Sequence, residues 1–310
     1  MGCAICGGMA AIKYTADGRL LCKPCFFQSF EDAVLHTIEA DSLFTPGQRV
    51  AIGVSGGKDS SVLTHVLFVL NERHSLGLDL HMVAIDEGIR GYRDDSLACV
   101  YRMQERYSLP LVVKSFKGLF GASLDDIDDR RAAPTPLCSE CGVLRRYALL
   151  TGSREAGADV MALGHNADDA AESIVLNLMR ADIARLGRGA NTVTDGADIP
   201  RVKPMHRCTQ RDIVMYAHLM RLDYFATECT YAPRGLRNVP RAILGAAGGV
   251  LSGVPLNIQR VGDVLSRALH EDSKPGVCER CGGMSSGRVC QTCLVVEAEG
   301  HRGVRLSGND

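Results

Sequence analysis

The sequence has no stretch of about 18 uncharged apolar residues, which excludes a helical membrane span. Its start, Met1-Gly-Cys-Ala-Ile-Cys6, has neither the basic opening nor the long apolar stretch of a secretory signal. Myristoylation is disfavoured because position 6 is Cys6, where Ser or Thr is wanted. The expectation is a cytoplasmic chain with no membrane partner. Net charge is nearly absent too: 35 basic and 36 acidic residues leave −1, so bulk electrostatics neither demands nor forbids a polyanionic partner. What is present is ample apolar material, 46% of 310 residues, enough to bury a sizeable core.

The chain also has 13 cysteines, which in a reducing cytosol argue for metal rather than disulfides. They divide the sequence into a Cys-rich head (residues 1–29), a core (30–257) and a linker helix with a Cys-rich tail (258–310). In the core, Arg49–Val54, Leu80–Ile85, Leu109–Phe116 and Asp159–Leu163 read as strands. Between and after them, Asp59–His74, Asp95–Tyr107, Val143–Ala156 and Asp168 to about Arg180 read as helices. Phe30–Phe44 and Ile258–Leu269 read as connecting helices, and Gly118–Pro136, Gly187–Pro204 and Gly235–Leu256 as loops. This alternation predicts an α/β fold, a doubly wound parallel sheet with ligands at the carboxyl ends of its strands.

After the first core strand comes Ser55-Gly56-Gly57-Lys58-Asp59-Ser60. Its glycines permit positive φ and close approach of backbone N–H groups to an anion, and the following helix start favours a pyrophosphate. It is neither a Walker A loop nor Gly-x-Gly-x-x-Gly. It resembles the PP-loop signature of the ATP pyrophosphatases, which implies ATP cleavage between the α- and β-phosphates and a Mg2+ ion, with Asp59 a suitable partner. Gly53, Ser55, Gly56, Gly57, Lys58, Asp59 and Ser60 are the expected ATP contacts, and Ala84 and Ile85 are placed to read the adenine edge. Gly164-His165-Asn166-Ala167-Asp168-Asp169 also lies between a strand and a helix. Gly164 and His165 are expected at the nucleotide and Asp169 as the catalytic carboxylate, with helix capping the plainer role for Asn166 or Asp168.

Cys3-x-x-Cys6 and Cys22-x-x-Cys25 are separated by 15 residues, Cys278-x-x-Cys281 and Cys290-x-x-Cys293 by 8. Each set of four thiolates in two tight pairs suits one structural Zn2+, giving two Zn2+ per chain. Cys138 and Cys141 have no second pair nearby, but with the distant Cys229 they could bind three irons of a [4Fe-4S] cluster and leave the fourth open. Cluster-free chemistry, with Cys138 or Cys229 carrying a persulfide, is the alternative. Between Arg180 and Arg211, seven basic residues (Arg180, Arg185, Arg188, Arg201, Lys203, Arg207, Arg211) face three acidic ones (Asp182, Asp195, Asp198), either a phosphate-facing strip or a solvated surface.

Together these features resemble the TtuA and cytosolic thiouridylase family of tRNA 2-thiouridine synthetases, with zinc modules at both ends. The match takes in both quartets, Ser55–Ser60, Cys138 and Cys141, Gly164–Asp169, Asn177–Arg180, Ile199–Pro204 and Cys229. It implies adenylation of a tRNA uridine, sulfur transfer at C2, a ubiquitin-like sulfur-carrier protein bearing a thiocarboxylate, and a homodimer. Two departures stand out: Arg145 occupies a position where the family usually has Lys, and Cys229-Thr230-Tyr231 replaces its Cys-Pro-Tyr. Arg keeps the charge but cannot act as a neutral base, so Arg145 is expected to stabilise adenylate or phosphate charge. Synthesis of 2-thiocytidine, or ATP- and RNA-binding without catalysis, are the competing functions.

Overall fold

The computed structural model describes residues 2–131, 137–189, 191–194, 199–248, 250, 251, 253–268, 276–285 and 287–298. The chain opens with a small hairpin, β1 (Ile12–Lys13) against β2 (Leu20–Leu21), which sits between the two halves of the head quartet. Helix α1 (Lys23–Ala40) begins with Pro24 in its first turn, seven residues before the expected start, and runs through the anticipated border at residue 29. Proline suits that position because its missing N–H has no helical partner to lose. Phe26, Phe30 and Val34 of α1 are fully buried in the core.

The core then alternates: β3 (Arg49–Val54), α2 (Lys58–His74), β4 (Asp79–Asp86), α3 (Arg93–Tyr107), β5 (Leu111–Ser115), α4 (Phe116–Phe120), α5 (Leu124–Asp129), α6 (Cys138–Glu155), β6 (Val160–Ala162), α7 (Ala167–Met179) and α8 (Ile183–Gly189). It closes with β7 (Val193–Thr194), β8 (Arg201–Val202), α9 (Gln210–Leu219), α10 (Asn238–Gly248) and α11 (Val254–Ala268). The tail holds β9 (Gly276–Val277), β10 (Met284–Ser285) and α12 (Gln291–Ala298).

The sheet order is β5-β4-β3-β6-β8-β7, parallel except for the antiparallel edge strand β7. The order reverses at β3, so the crevice falls between the ends of β3, β4 and β6, where such sheets bind ligands. No described helix is long and apolar enough to cross a membrane.

Three expected loops contain structure. Within 118–136, Ser123 and Asp126 form a reciprocal cap that starts α5, and Leu124 and Ile127 bury its inner face; residues 132–136 lie outside the described set. Within 235–256, α10 buries Pro240 and Leu244, and α11 starts at Val254 rather than Ile258, crossing the border anticipated at 257. The expected end of that helix at Leu269 lies outside the described residues. Within 187–204 stand the two short strands β7 and β8. Finally, α6 starts at Cys138, five residues before Val143, which places two cysteines on its first turn.

Candidate nucleotide and sulfur-transfer site

β3 delivers the first loop. Gly56 has a φ of +71, and a Cβ there would lie 2.4 Å from the Ser96 carbonyl oxygen, so conformation and space both require glycine. The Ser55 N–H donates to Ser60 Oγ at 3.2 Å, and the Ser60 hydroxyl donates to the Gly57 carbonyl at 2.9 Å. From α3, the Ser96 hydroxyl donates to the Ser55 carbonyl at 2.8 Å. The loop is thus held open at the head of α2, whose first N–H groups and dipole favour an anion. Lys58 pairs with Asp59 at 3.1 Å.

The second loop follows β6. Asn166 Oδ1 accepts from the N–H groups of Asp168 (2.9 Å) and Asp169 (3.2 Å), while Asp169 accepts from the Asn166 N–H at 3.2 Å, which caps α7 reciprocally. The same Asn166 donates through Nδ2 to Asp59 Oδ1 at 3.1 Å, so one side chain ties the two loops together. Gly164 lets them meet: a Cβ there would stand 3.2 Å from the Asp59 carbonyl carbon.

Burial raises the Asp59 carboxyl, and the charge of Asp169 adds to the shift while Lys58 opposes it. Burial also raises Asp168, which accepts from the Gln210 N–H at 2.7 Å. Asp59 and Asp169 interact electrostatically, and carboxylate oxygens are the ligands a hard divalent cation takes. Desolvation by the surrounding cleft atoms, ahead of the repulsion of Lys203, Arg237 and Arg201, lowers His165 to about 4 although the residue itself is exposed, which favours the neutral ring.

A cavity of about 200 Å³ opens between the loops, lined by Gly53, Ser55, Asp59, Ser60, Gly164 and His165 together with Ile85, Glu87 and Arg145. Ala84 is not among its walls; it is fully buried and paired with both Val54 and Val113. Pairing of β4 with β3 stops at Ala84 and with β5 continues to Asp86, which leaves Ile85 at the cleft edge.

The three central cysteines converge beside this cleft. Cys138 is exposed, with Sγ 3.6 Å from the Tyr231 carbonyl, and Cys229 packs on the apolar cluster that contains Cys141. The Tyr231 hydroxyl donates to Asp125 at 2.8 Å, which fixes the Cys229 loop to α5. One turn along α6, Arg145 places Nη2 3.6 Å from Cys141 Sγ and Nε 2.7 Å from Glu87 Oε1. Burial raises the Cys141 thiol to about 11 even though Arg145 opposes the shift.

In each terminal quartet the four sulfurs lie within 4.8 Å of one another. Pairs measure 3.6 Å (Cys6–Cys22), 3.9 Å (Cys278–Cys293) and 3.6 Å (Cys281–Cys290). A tetrahedral ion with sulfur ligands at ~2.3 Å needs edges of about 3.8 Å, so both quartets fit one ion each. Backbone N–H groups of Cys6 and Cys22 lower the Cys3 thiol to about 6, which favours the ligating thiolate. Among the described residues, Cys138, Cys141 and Cys229 form no such tight group.

Sequence reasoning missed the pairing of Glu87 with Arg145, the Asn166–Asp59 link, and the convergence of Arg146, Arg201, Lys203 and Arg237 beside the site. Arg201 lies on β8 and Lys203 directly after it, Arg146 is on α6, and Arg237 precedes α10, 3.6 Å from Asp169. Desolvation by neighbouring atoms lowers the exposed Arg146, with Arg201, Arg185 and Arg237 adding repulsion; it also lowers the half-buried Arg201, and Lys203 to about 8. The basic strip was the available signal for Arg201 and Lys203. Within that strip, however, Arg207 pairs with Asp41 at 2.9 Å and Arg185 with Asp182 at 3.4 Å. Asp195, Asp198 and the Arg188 side chain lie outside the described residues.

A strand-loop-helix phosphate site at the switch point of a parallel sheet defines a class, and residues 28–246 match the PP-loop domain family. Over 298 residues the chain is 46% identical to cytoplasmic tRNA 2-thiolation protein 1 of Drosophila grimshawi, covering 95% of this chain and 86% of that one. It is 46% identical over 295 residues to the Caenorhabditis elegans protein of the same name, covering 94% and 79%. The chain belongs to the cytoplasmic tRNA 2-thiolation protein 1 family. Among solved structures it resembles the U34-tRNA thiolase NcsA from Methanococcus maripaludis with its [4Fe-4S] cluster. That match has a TM-score of 0.82 and 29% identity over 96% of both chains.

Proposed function

We propose that this chain is an ATP-dependent tRNA sulfurtransferase that converts a uridine, at wobble position 34, to 2-thiouridine in the cytoplasm. The names of its relatives support the thiolation and the compartment, and that of NcsA the wobble position. The uridine C2 oxygen attacks the α-phosphate of ATP and pyrophosphate leaves. Sulfide then adds at C2, and AMP departs with the former carbonyl oxygen.

The observation that carries this reading is the position of Arg145, whose guanidinium touches both Glu87 in the ATP cleft and the sulfur of Cys141. Adenylation and sulfur delivery thereby share one wall. The Ser55–Ser60 loop holds the phosphates, Gly53 and Ile85 frame the adenosine beside the buried Ala84, and Asp59 holds Mg2+. Gly164 and neutral His165 close the cleft, and Asp169 orients the reacting uridine. Arg145 balances the charge of the adenylate. Arg146, Arg201 and Lys203 take the phosphate of the target nucleotide.

Cys138, Cys141 and Cys229 would hold a [4Fe-4S] cluster, which would supply sulfur delivery beside the ATP cleft. The terminal quartets hold Zn2+. The sulfur arrives on a ubiquitin-like carrier protein with a C-terminal thiocarboxylate, and the enzyme works as a homodimer.

Anaerobic purification with metal analysis tests this reading, with about four iron and two zinc expected per chain. Supplied with ATP, tRNA and sulfide, the protein should release pyrophosphate and AMP in step with 2-thiouridine. Formation of 2-thiocytidine, or ATP binding without pyrophosphate release, would overturn it. Iron absent after reconstitution, with thiolation from sulfide intact, would remove the cluster from the reaction and leave sulfide itself as the attacking group.

A further inference from the structure

A second polar hollow lies outside the catalytic cleft. It encloses about 330 Å³ between the β1–β2 hairpin, the first turn of α9 and the start of α11, with Lys13, Thr15, Arg211, Asn257 and Arg260 among its walls. We propose that this groove is a docking track for the phosphodiester backbone of the tRNA, a contact separate from the one at the reacting nucleotide. The proposal rests on the reading of the chain as a tRNA-thiolating enzyme.

Charge is the first argument. Lys13, Arg211 and Arg260 come from three different elements, all are exposed, and none forms an ion pair among the described residues. The one carboxylate in the wall, Asp17, is already neutralised by Arg19 at 2.6 Å. Asp212 lies beneath, buried, accepting from the Thr15 and Thr209 hydroxyls at 2.8 and 2.9 Å. Three exposed cations without an ion-pair partner around one hollow call for an anion with several charged groups in sequence, which a nucleic-acid backbone provides.

Placement is the second argument. Thr15 fastens the hairpin to α9 through Asp212, and the Gln210 N–H at the head of α9 donates to Asp168 of the catalytic loop. The groove is therefore rigidly coupled to the catalytic end, and a substrate far larger than the cleft can run from one to the other. The head quartet gains a role here, because its hairpin carries Lys13 at a fixed place.

A protein partner suits this groove less well. Protein interfaces need an apolar anchor at their centre, and the larger aliphatic side chain in this wall, Leu256, is buried. Exposed aliphatic residues flank the groove at Val250, Leu251 and Val261 but none is among its walls, and others gather at Leu236, Val239 and Ile243 around α10.

The test is equilibrium binding of an unmodified tRNA transcript to the full-length holoprotein across a salt series, wild type against the triple variant K13A/R211A/R260A. Zinc content, melting temperature and ATP affinity should match wild type, since all three side chains are exposed and lie outside the ATP cleft. Binding should weaken about tenfold or more at physiological salt, and the slope of log affinity against log salt should fall by about two to three. R211K/R260K should retain most of the affinity. Equal affinity and slope in wild type and triple variant would overturn the proposal, as would a variant that loses only binding of the carrier protein. A wild-type protein that binds no tRNA at any salt would instead sink the thiolation reading itself.

Discussion

Replacing a single cysteine of the tail, Cys281→Ser, should strip iron from the central thiols, because Cys141 and Cys229 pack in the same apolar cluster as the tail quartet. The tail quartet and α6 share one apolar cluster, which joins all four tail cysteines and Val296 to Cys141, Leu144 and Tyr147. Structural zinc contributes about 10–16 kcal/mol to the folding of such a small module, so loss of one ligand unfolds it. Tyr147, 8% exposed, and Leu144, 1% exposed, then lose part of their cover. At about 1.5–3 kcal/mol for each large side chain fully buried, partial exposure of the pair removes about 2–4 kcal/mol from the packing of α6. That amounts to an increase on the order of 30- to 1,000-fold in local opening of the helix that carries Cys138 and Cys141. Iron, zinc and the visible absorbance of the cluster should be measured after anaerobic reconstitution of C281S, with C6S as control. The head quartet packs instead on Tyr14, Leu21 and Phe26 in the other main cluster, so C6S should lose zinc and keep iron. A C281S protein that lacks one zinc yet holds about four iron would refute the coupling.

Three further outcomes follow from single contacts. Gly56→Ala places a side chain at φ +71 and 2.4 Å from a carbonyl oxygen; strain of about 1–3 kcal/mol should distort the loop and weaken ATP binding at least tenfold by calorimetry, and unchanged affinity would count against the loop as the phosphate site. Asn166→Ala removes the α7 cap and the bridge to Asp59; the cap alone is worth about 1 kcal/mol. Melting should drop by about 2–4 °C and pyrophosphate release should fall more than tenfold, whereas release at the wild-type rate in a destabilised variant would reduce Asn166 to a cap. His65, held to about 4 by burial and then by Arg106, binds its proton less readily folded than unfolded. Its contribution is therefore complete above its unfolded value near 6.5 and is lost as pH falls toward 4, by about 3 kcal/mol at most. His65→Gln, able to keep a bond to Tyr107, now 3.0 Å from Nδ1, should flatten that acid limb in denaturant titrations, and parallel limbs would exclude His65 as its source.

The legible parts of this fold are those that carry their own pattern. Arg49–Val54 is a compact apolar run with a glycine-rich loop after it, and the strand occupies those six residues. The α5 segment reads as loop because Leu124-Asp-Asp-Ile-Asp-Asp129 holds four carboxylates in six residues. Two buried aliphatic side chains three apart and a serine cap outweigh that composition. The start of α6 was hidden for a related reason: Cys138-Ser-Glu-Cys-Gly142 shows no apolar recurrence, yet Cys141 is buried through tertiary packing and draws the helix back over it. The quartets needed no fold to be read, because each pair is local in sequence.

What sequence could not supply is the partner of a charged group far along the chain. Glu87 follows β4, Arg145 lies on α6, and only the placement of that helix against the sheet brings them to 2.7 Å. The pair also gives the departure at position 145 a physical account. The guanidinium meets two partners at once, Glu87 through an ion pair at Nε and Cys141 through Nη2. A lysine ammonium is a single point on a flexible stem and satisfies one of these at a time. Glu87 is only 8% exposed, so a lysine that turned to the sulfur would leave a buried carboxylate without its partner. Arg145→Lys should therefore loosen the wall between cleft and thiols although charge is conserved. The expected reading is ATP hydrolysis or adenylation uncoupled from 2-thiouridine formation, and a fully coupled R145K enzyme would show that charge alone is what position 145 requires.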